Sequence, residues 1–310
     1  MDSPMRIYLD YSTIKASKRH DLSNPITAAF KAIEQAAQSA GIEITPEAEV
    51  VFVFGSITDR KPDTERAISI QRHRDQGKKI LSLDSALFST YIRRTLNSSE
   101  TYMFRVGLGD CTGEGNFLNE NSGPQRYEWF KKAFNFQEGV PRNDNTAPIF
   151  FALQSEKGWT YNDEKPYYES AREIIQQLRE RTDRTIILKP HPNTDRHPLE
   201  WITRGFENIR VVGQDRNRRD LIDDLKGVGA FVTHSSSAAC ESLVEGIPTF
   251  VTDRRCVVYK QCENNLDKIN HLETINWKNR QQNLYNMSMT SWHIREMSNP
   301  QWLLYYLNKL

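Results

Sequence analysis

The chain has 310 residues, enough for about two domains of ordinary size and too many for a single small binding module. A hydrophobic fraction of 38%, a charged fraction of 26% and a mean hydropathy of −0.67 describe a globular protein with a polar surface, and 10% aromatic residues argue against disorder. The 41 basic and 40 acidic residues leave a net charge of +1, so no overall field favours nucleic acid, and such binding needs a local basic surface.

In chain order, Arg6 to Leu9 reads as a first strand. Asn24 as N-cap, Pro25 at the first helical position and Ile26, Phe30, Ile33, Ala37 and Ala40 on one face predict a helix stopped at Gly41. Glu49 to Gly55 is a continuous apolar run, the signature of a strand buried on both faces of a parallel sheet. A helix over Thr64 to Lys78 and a strand over Lys79 to Leu83 follow. Gly107 to Gly123, rich in glycine and asparagine and without periodicity, reads as a loop, and loops of that length inside compact domains are often functional.

After the polar stretch Gln137 to Pro148 the rhythm restarts. Strands are expected at Ile149 to Leu153, Thr185 to Lys189, Ile209 to Val212, Ala230 to Thr233 and Thr249 to Thr252. Helices are expected over Lys165 to Thr182, Arg218 to Lys226, Ser236 to Glu245 and the aromatic ending Trp292 to Leu310. This alternation, twice over, predicts an α/β protein with two doubly wound parallel sheets: residues 1–145, residues 146–280, and C-terminal helices 281–310 returning to the first domain. Such pairs place a ligand cleft between the domains, at the carboxyl ends of the strands.

No apolar run nears the roughly 20 residues of a membrane span, and the N-terminal residues show no secretory pattern. Cys111, Cys240, Cys256 and Cys262 form no CxxC pair. Free thiols in a cytoplasmic protein are therefore expected. There is no HExxH and no metal-ligand spacing among His191, His197 and His234, so no metal is expected. The absence of GxGxxG and GxxxxGK[ST] removes the support for dinucleotide and P-loop readings.

Two features carry chemistry. The strand ending at Lys189 runs into Pro190-His191-Pro192, a stiff turn from which His191 can donate to a phosphate or carbonyl, or merely cap the backbone. The strand ending at Thr233 runs into His234, Ser235, Ser236 and Ser237. Three serines opening a helix gather hydroxyls and free amides at its positive end, as a diphosphate requires, although one of them is accounted for by capping. Glu241, one turn in, is a candidate ribose contact or a solvated helix residue. Lys189, Arg254 and Arg255 could add positive charge, or serve only as strand-end and turn residues.

A strand ending in Lys-Pro-His-Pro and, some forty residues on, a strand followed by His-Ser-Ser-Ser, Glu241 and Leu243-Val244-Glu245-Gly246-Ile247-Pro248 resembles the donor half of GT-B glycosyltransferases, nearest in pattern to the capsule-polysaccharide and glycerophosphate transferase-like group. Two further stretches are similar to the glycosyltransferases of large tailed phages, several of which modify hydroxymethylated pyrimidines in DNA. They are Phe104-Arg105-Val106-Gly107-Leu108 with Asp110, Gly113, Gly115, Asn116-Phe117 and Asn119, and Ser291 to Met297 together with Asn265 to Ile269. The resemblance implies a GT-B fold with a cleft between two Rossmann-like domains. It makes His191 and Ser235 to Ser237 phosphate contacts and Glu241 a ribose contact, with Lys189 and His234 as further donor-side candidates from their positions, for a nucleotide sugar (a UDP-hexose favoured) that is a co-substrate and not a cofactor.

In an inverting transfer the acceptor hydroxyl needs a general base. Asp110 in the glycine-rich loop is the first candidate, with Glu114 and Asp10 as rivals. A DNA acceptor needs basic contacts, for which Lys15, Lys18, Arg19, His20 and Arg105 are the first choice and Arg60-Lys61 and Arg93-Arg94 the second. Open alternatives are a capsule or lipid-linked saccharide acceptor, or a nucleotide-sugar epimerase or sensor of the same architecture.

Overall fold

The computed structural model describes residues 5–15, 21, 23–56, 65–96, 102–154, 166–191, 197–213 and 220–310. The elements in chain order are β1 (Arg6–Leu9), α1 (Pro25–Ala40), β2 (Glu43–Ile44), β3 (Val50–Phe54), α2 (Glu65–Asp75), β4 (Lys79–Ser85), α3 (Ser89–Thr95), β5 (Met103–Leu108), α4 (Gln125–Ala133) and β6 (Ile149–Ala152). They continue with α5 (Tyr167–Arg179), β7 (Ile186–Lys189), α6 (His197–Thr203), β8 (Ile209–Val211), α7 (Leu221–Asp224), β9 (Ala230–Thr233), α8 (Ala238–Val244) and β10 (Thr249–Val251). Short 3₁₀ turns lead to α9 (Arg280–Ser288), β11 (Ser291–His293), α10 (Ile294–Met297) and α11 (Pro300–Leu307). The chain divides into two compact units, residues 1–134 with 285–310, and residues 135–284.

The first unit carries a six-stranded sheet in the order β11-β5-β4-β3-β1-β2. From β2 to β4 the strands are parallel, while β5 and β11 run antiparallel at one edge. That edge differs from the expected all-parallel sheet, and Ser291–His293 is a strand where the ending read as helix. Its backbone pairs with Met103 to Arg105, so tertiary pairing decides the conformation of a stretch too short to decide it alone. Helices cover both faces. Phe52 points into a cluster with Phe30 and Ile33 of α1 and Trp302 and Leu303 of α11, whereas Val51 and Val53 point the other way, against Ile70 of α2. Asn24 accepts the Ile26 amide at 3.1 Å to start α1.

The motif around Trp292 is built into this edge. The Arg126 guanidinium lies 3.9 Å from the Trp292 ring centroid and forms a bidentate pair with Glu296, and His293 caps α10 by accepting the Arg295 amide. These contacts give Trp292, His293 and Glu296 a structural task.

The second unit has five parallel strands in the order β10-β9-β6-β7-β8. On one face Phe151, Leu188 and Val232 pack on Ala171, Ile175 and Leu178 of α5. On the other, the Phe150 and Phe231 rings stack at 5.8 Å and 15°. Each fully buried phenylalanine contributes roughly 2–3 kcal/mol of apolar burial. The Glu245-Gly246-Ile247-Pro248 turn closes against residues 139–142. Gly139 and Arg142 donate to the Val244 and Gly246 carbonyls at 2.9 and 2.8 Å, and a Cβ on Gly246 (φ +69°) would lie 2.4 Å from the Val140 oxygen. No helix among the described residues is long and apolar enough to cross a membrane.

Candidate functional site

In the second unit the chain leaves β6 toward β7 and β8 on one side and later returns to lay β9 and β10 on the other. The segments that follow β6 and β9 therefore part at the carboxyl ends of adjacent strands, the position where open α/β sheets form a crevice. The serine run sits there. Ser235 donates its hydroxyl to Gln154, just beyond β6, at 2.7 Å, and Thr233 ties the two strand ends by donating to the Ala152 carbonyl at 2.9 Å. Ser235, Ser236 and Ser237 are all half-buried, so their polar atoms stand at the rim of the unit and not within it.

The helix after them is shorter than expected, seven residues from Ala238 to Val244, and Ser237 makes no side-chain capping bond. Ser236 accepts the Ala238 amide at 3.3 Å. One serine thus serves the helix start, another meets Gln154, and capping leaves Ser237 unused. His191 is half-buried and lies two residues past the end of β7, on the segment whose Lys189 carbonyl accepts the Leu153 amide at 2.9 Å. It stands at the end of the strand beside β6. The structure therefore sets His191, Gln154 and Ser235 at the ends of three successive strands.

The other expected donor contacts take different positions. The Lys189 ammonium is paired with Asp224 and largely buried, and so its charge is already met. Glu241 is 2% exposed and presents no carboxylate to a ribose arriving from solvent. His234 does not aim at the serine loop with a free nitrogen. Its Nδ1 lies 2.9 Å from the Thr252 hydroxyl and its Nε2 lies 3.0 Å from Asp253. Arg255 also binds Asp253 through its backbone N–H and guanidinium. Burial pushes the Asp253 carboxyl up, but His234 and Arg255 outweigh it and hold the group below the usual carboxylate range. Arg254 remains exposed.

In the first unit the corresponding crevice falls between β1 and β3, and it is filled by the chain's own side chains. Asp10, at the end of β1, is 2% exposed; it accepts from Ser12 (2.6 Å) and Ser69 (2.5 Å) and meets His73 Nε2 at 3.0 Å. Burial raises its pKa, and the His73, Ser12 and Ser69 bonds overcome this and bring it down to about 2. A carboxylate that holds a proton so weakly is a poor general base.

Asp110 is likewise 2% exposed, with Ser56 bonded to its carboxylate at 2.7 Å and the Thr112 amide at 2.8 Å. The glycines around it do not open the loop to a ligand. A Cβ on Gly107 or Gly115 would lie 2.1 or 1.9 Å from the Asp110 carbonyl oxygen, so they make room for the loop's own backbone. Of the three base candidates only Glu114 is exposed.

Arg105, expected at the acceptor, is buried: it donates to the Cys111 and Ser85 carbonyls at 2.7 and 2.6 Å and pairs with Asp84 at 2.6 Å. Lys15 is exposed, as are Arg93 and Arg94 in α3. Lys18, Arg19, His20, Arg60 and Lys61 lie outside the described residues.

Sequence reasoning missed Gln154, Asp253 and His73. The first two had a signal, being polar residues placed within two positions of a buried strand's end. His73 had none, because it lies within α2 and only packing brings it to Asp10.

No family model matches the sequence, and no curated protein does. Among solved structures, the chain is similar to Thermosulfurimonas dismutans KpsC, a beta Kdo 2,4 transferase, at 13% identity and a TM-score of 0.43 over 87% of this chain and 90% of that one. It is also similar to S. aureus MnaA in a co-structure with UDP (13%, TM-score 0.33, 100% and 98%) and to a Neisseria meningitidis UDP-GlcNAc 2-epimerase bound to UDP-GlcNAc (10%, TM-score 0.34, 99% of each). Identities this low carry no information about chemistry, and the reading of the site rests on its own residues.

Proposed function

We propose that the chain is a glycosyltransferase whose second unit binds the diphosphate of a nucleotide sugar, UDP-hexose favoured, at the loop Ser235 to Ser237. The observation that carries this is the Ser235–Gln154 bond across the point where the second sheet reverses its winding, with the three serines half-exposed beside it. Hydroxyls and backbone amides there, with His191 at the neighbouring strand end, can hold the negative charge that grows on the departing nucleoside diphosphate. His191 serves as donor contact, whereas the His234 ring meets Thr252 and Asp253. In the acceptor half, Glu114 is the base candidate with access to solvent. The acceptor we propose is the hydroxyl of a 5-hydroxymethylated pyrimidine in DNA, approached over Lys15.

Thermal shifts against UDP, CMP, GDP and their sugars test the donor: stabilisation by UDP and a UDP-hexose is expected, and a flat response to every nucleotide overturns the reading. Digesting hydroxymethylated duplex to nucleosides after incubation with UDP-sugars, and weighing the products, tests the acceptor. A hexose mass increment is expected, while sugar transferred to none of the nucleosides removes the DNA acceptor.

A further inference from the structure

The first unit holds a cavity of about 390 Å³ that the proposed transfer does not use, within the roughly 300–1,000 Å³ of small-molecule sites. It lies where the segment 119–126 meets Trp292 of β11 and the C-terminal residues Tyr305 and Lys309. In the sheet order β5, β4 and β3 separate β11 from β1, so this cavity is distinct from the filled crevice between β1 and β3. The stretches Phe104 to Asn119 and Ser291 to Met297, far apart in sequence, are joined here by the pairing of β5 with β11.

The loop forming one wall is fixed by its own bonds. Asn119 donates to the Asn286 carbonyl, the Ser122 amide donates to the Asn286 side-chain oxygen at 3.0 Å, and the Ser122 hydroxyl donates to the Asn119 carbonyl at 2.5 Å. Leu118 and Asn121 stand in the left-handed region at φ +55° and +57°. For leucine that conformation is strained, and such strain persists only where the surroundings impose it. A wall fixed in advance loses little freedom when a ligand arrives.

Around the cavity, polar groups are left unused. Glu120, Asn121 and Gln125 are exposed, and their side chains form no hydrogen bond or ion pair among the described residues. Lys309 donates to the Leu118 carbonyl and, at 2.9 Å, to the Tyr305 hydroxyl, but no carboxylate pairs with it among the described residues. Arg126 is already paired with Glu296. The charges left to the lining are therefore those of Lys309 and Glu120, which cancel.

This lining selects a neutral ligand rich in hydroxyls. A phosphate or carboxylate needs surplus positive charge, and there is none. A nucleobase needs an open ring face, yet Arg126 lies 3.9 Å from the Trp292 centroid and Lys309 lies 4.4 Å from the Tyr305 centroid. The Asn121 and Gln125 amides both donate and accept, as every sugar hydroxyl does, while Glu120 accepts and Lys309 donates. Met289, Trp292 and Tyr305 supply an apolar wall for the C–H side of a sugar ring. We propose that this cavity is a saccharide-binding site in which Glu120, Asn121, Gln125 and Lys309 bond the hydroxyls of a neutral sugar. No bond forms or breaks there, and the site does not depend on the diphosphate reading of Ser235 to Ser237.

Saturation-transfer NMR on the full chain tests this with the methyl glycosides of glucose, galactose and N-acetylglucosamine and with maltose, cellobiose and lactose. At least one sugar gives a signal that titrates with a dissociation constant of about 1 mM, the affinity of a few net hydrogen bonds. Saturating UDP leaves that signal unchanged. Asn121→Gly/Gln125→Ala weakens binding about ten-fold, the loss of two net hydrogen bonds. Glycine accepts the backbone angle at 121 and alanine favours the helix at 125, so this variant keeps the fold.

No signal from any of these sugars at about 10 mM, equal binding by wild type and variant, or displacement of the sugar by UDP overturns the proposal. The UDP resonances in the same samples report on the donor loop separately, so the two readings fail independently.

Discussion

Both sheets reverse their winding beside a histidine–aspartate pair, and the two pairs are used differently. In the first unit Asp10 and His73 are sealed by Ser12 and Ser69, while Asp110 turns inward to Ser56. In the second, His234 and Asp253 are buried to a similar degree, yet the loop that follows His234 leaves Ser235 to Ser237 half-exposed. Topology nominates a crevice in each sheet, and burial selects between them. A carboxylate whose hydrogen bonds are satisfied internally stabilises a fold, whereas half-exposed serines can be reached by a ligand, with Ser237 not taken up by capping.

The largest effect expected of breaking this contrast comes from Asp10→Asn. Removing one charge of a buried pair costs about 3 kcal/mol, read as a fall in the denaturant midpoint, with UDP-glucose affinity unchanged. A loss of affinity without a loss of stability would move the functional site to the first unit. Asp110→Ala should cost about 2 kcal/mol by leaving the Ser56 hydroxyl and the Thr112 amide short of a partner. Glu114→Gln, by contrast, should leave stability within about 0.5 kcal/mol and reduce turnover by 10² or more if Glu114 is the general base. Equal activity in wild type and Glu114→Gln would remove it from the reaction.

Acid sharpens the comparison further. The Asp10 carboxyl is held near 2 against an ordinary 3.8, so its contribution of about 2 kcal/mol is complete above pH 3.8 and disappears as pH falls toward 2. Asp253, also depressed, acts in the same direction. Asp10→Asn should therefore flatten the acid limb of a stability–pH curve measured by urea unfolding. The smallest effect belongs to Gln154→Leu, which removes one partner of Ser235 and should weaken UDP-glucose binding by a few-fold.

Much of the frame was readable in the residues. Apolar runs such as Val50 to Phe54 and Ile149 to Ala152 announce strands buried on both faces, and Asn24-Pro25 announces a helix start. The edge strand Ser291–His293 was not readable, because only pairing with β5 makes it a strand. Site residues were legible as positions and not as environments. His191 and the serines stand at strand ends as their spacing implied, but no local pattern reveals that Asp110 points to Ser56, that Arg105 belongs to Asp84, or that Lys189 belongs to Asp224. Those pairings join residues 21 to 54 positions apart, and only folding reveals which charges are already answered.

The account stands or falls on what the rim at Ser235 holds. Titrating UDP-glucose into wild-type protein and into a Ser235→Ala/Ser237→Ala variant of equal stability measures it directly. Two lost hydrogen bonds to a charged ligand predict at least ten-fold weaker binding, whereas equal affinity in the two proteins would contradict the assignment of this loop as the donor site.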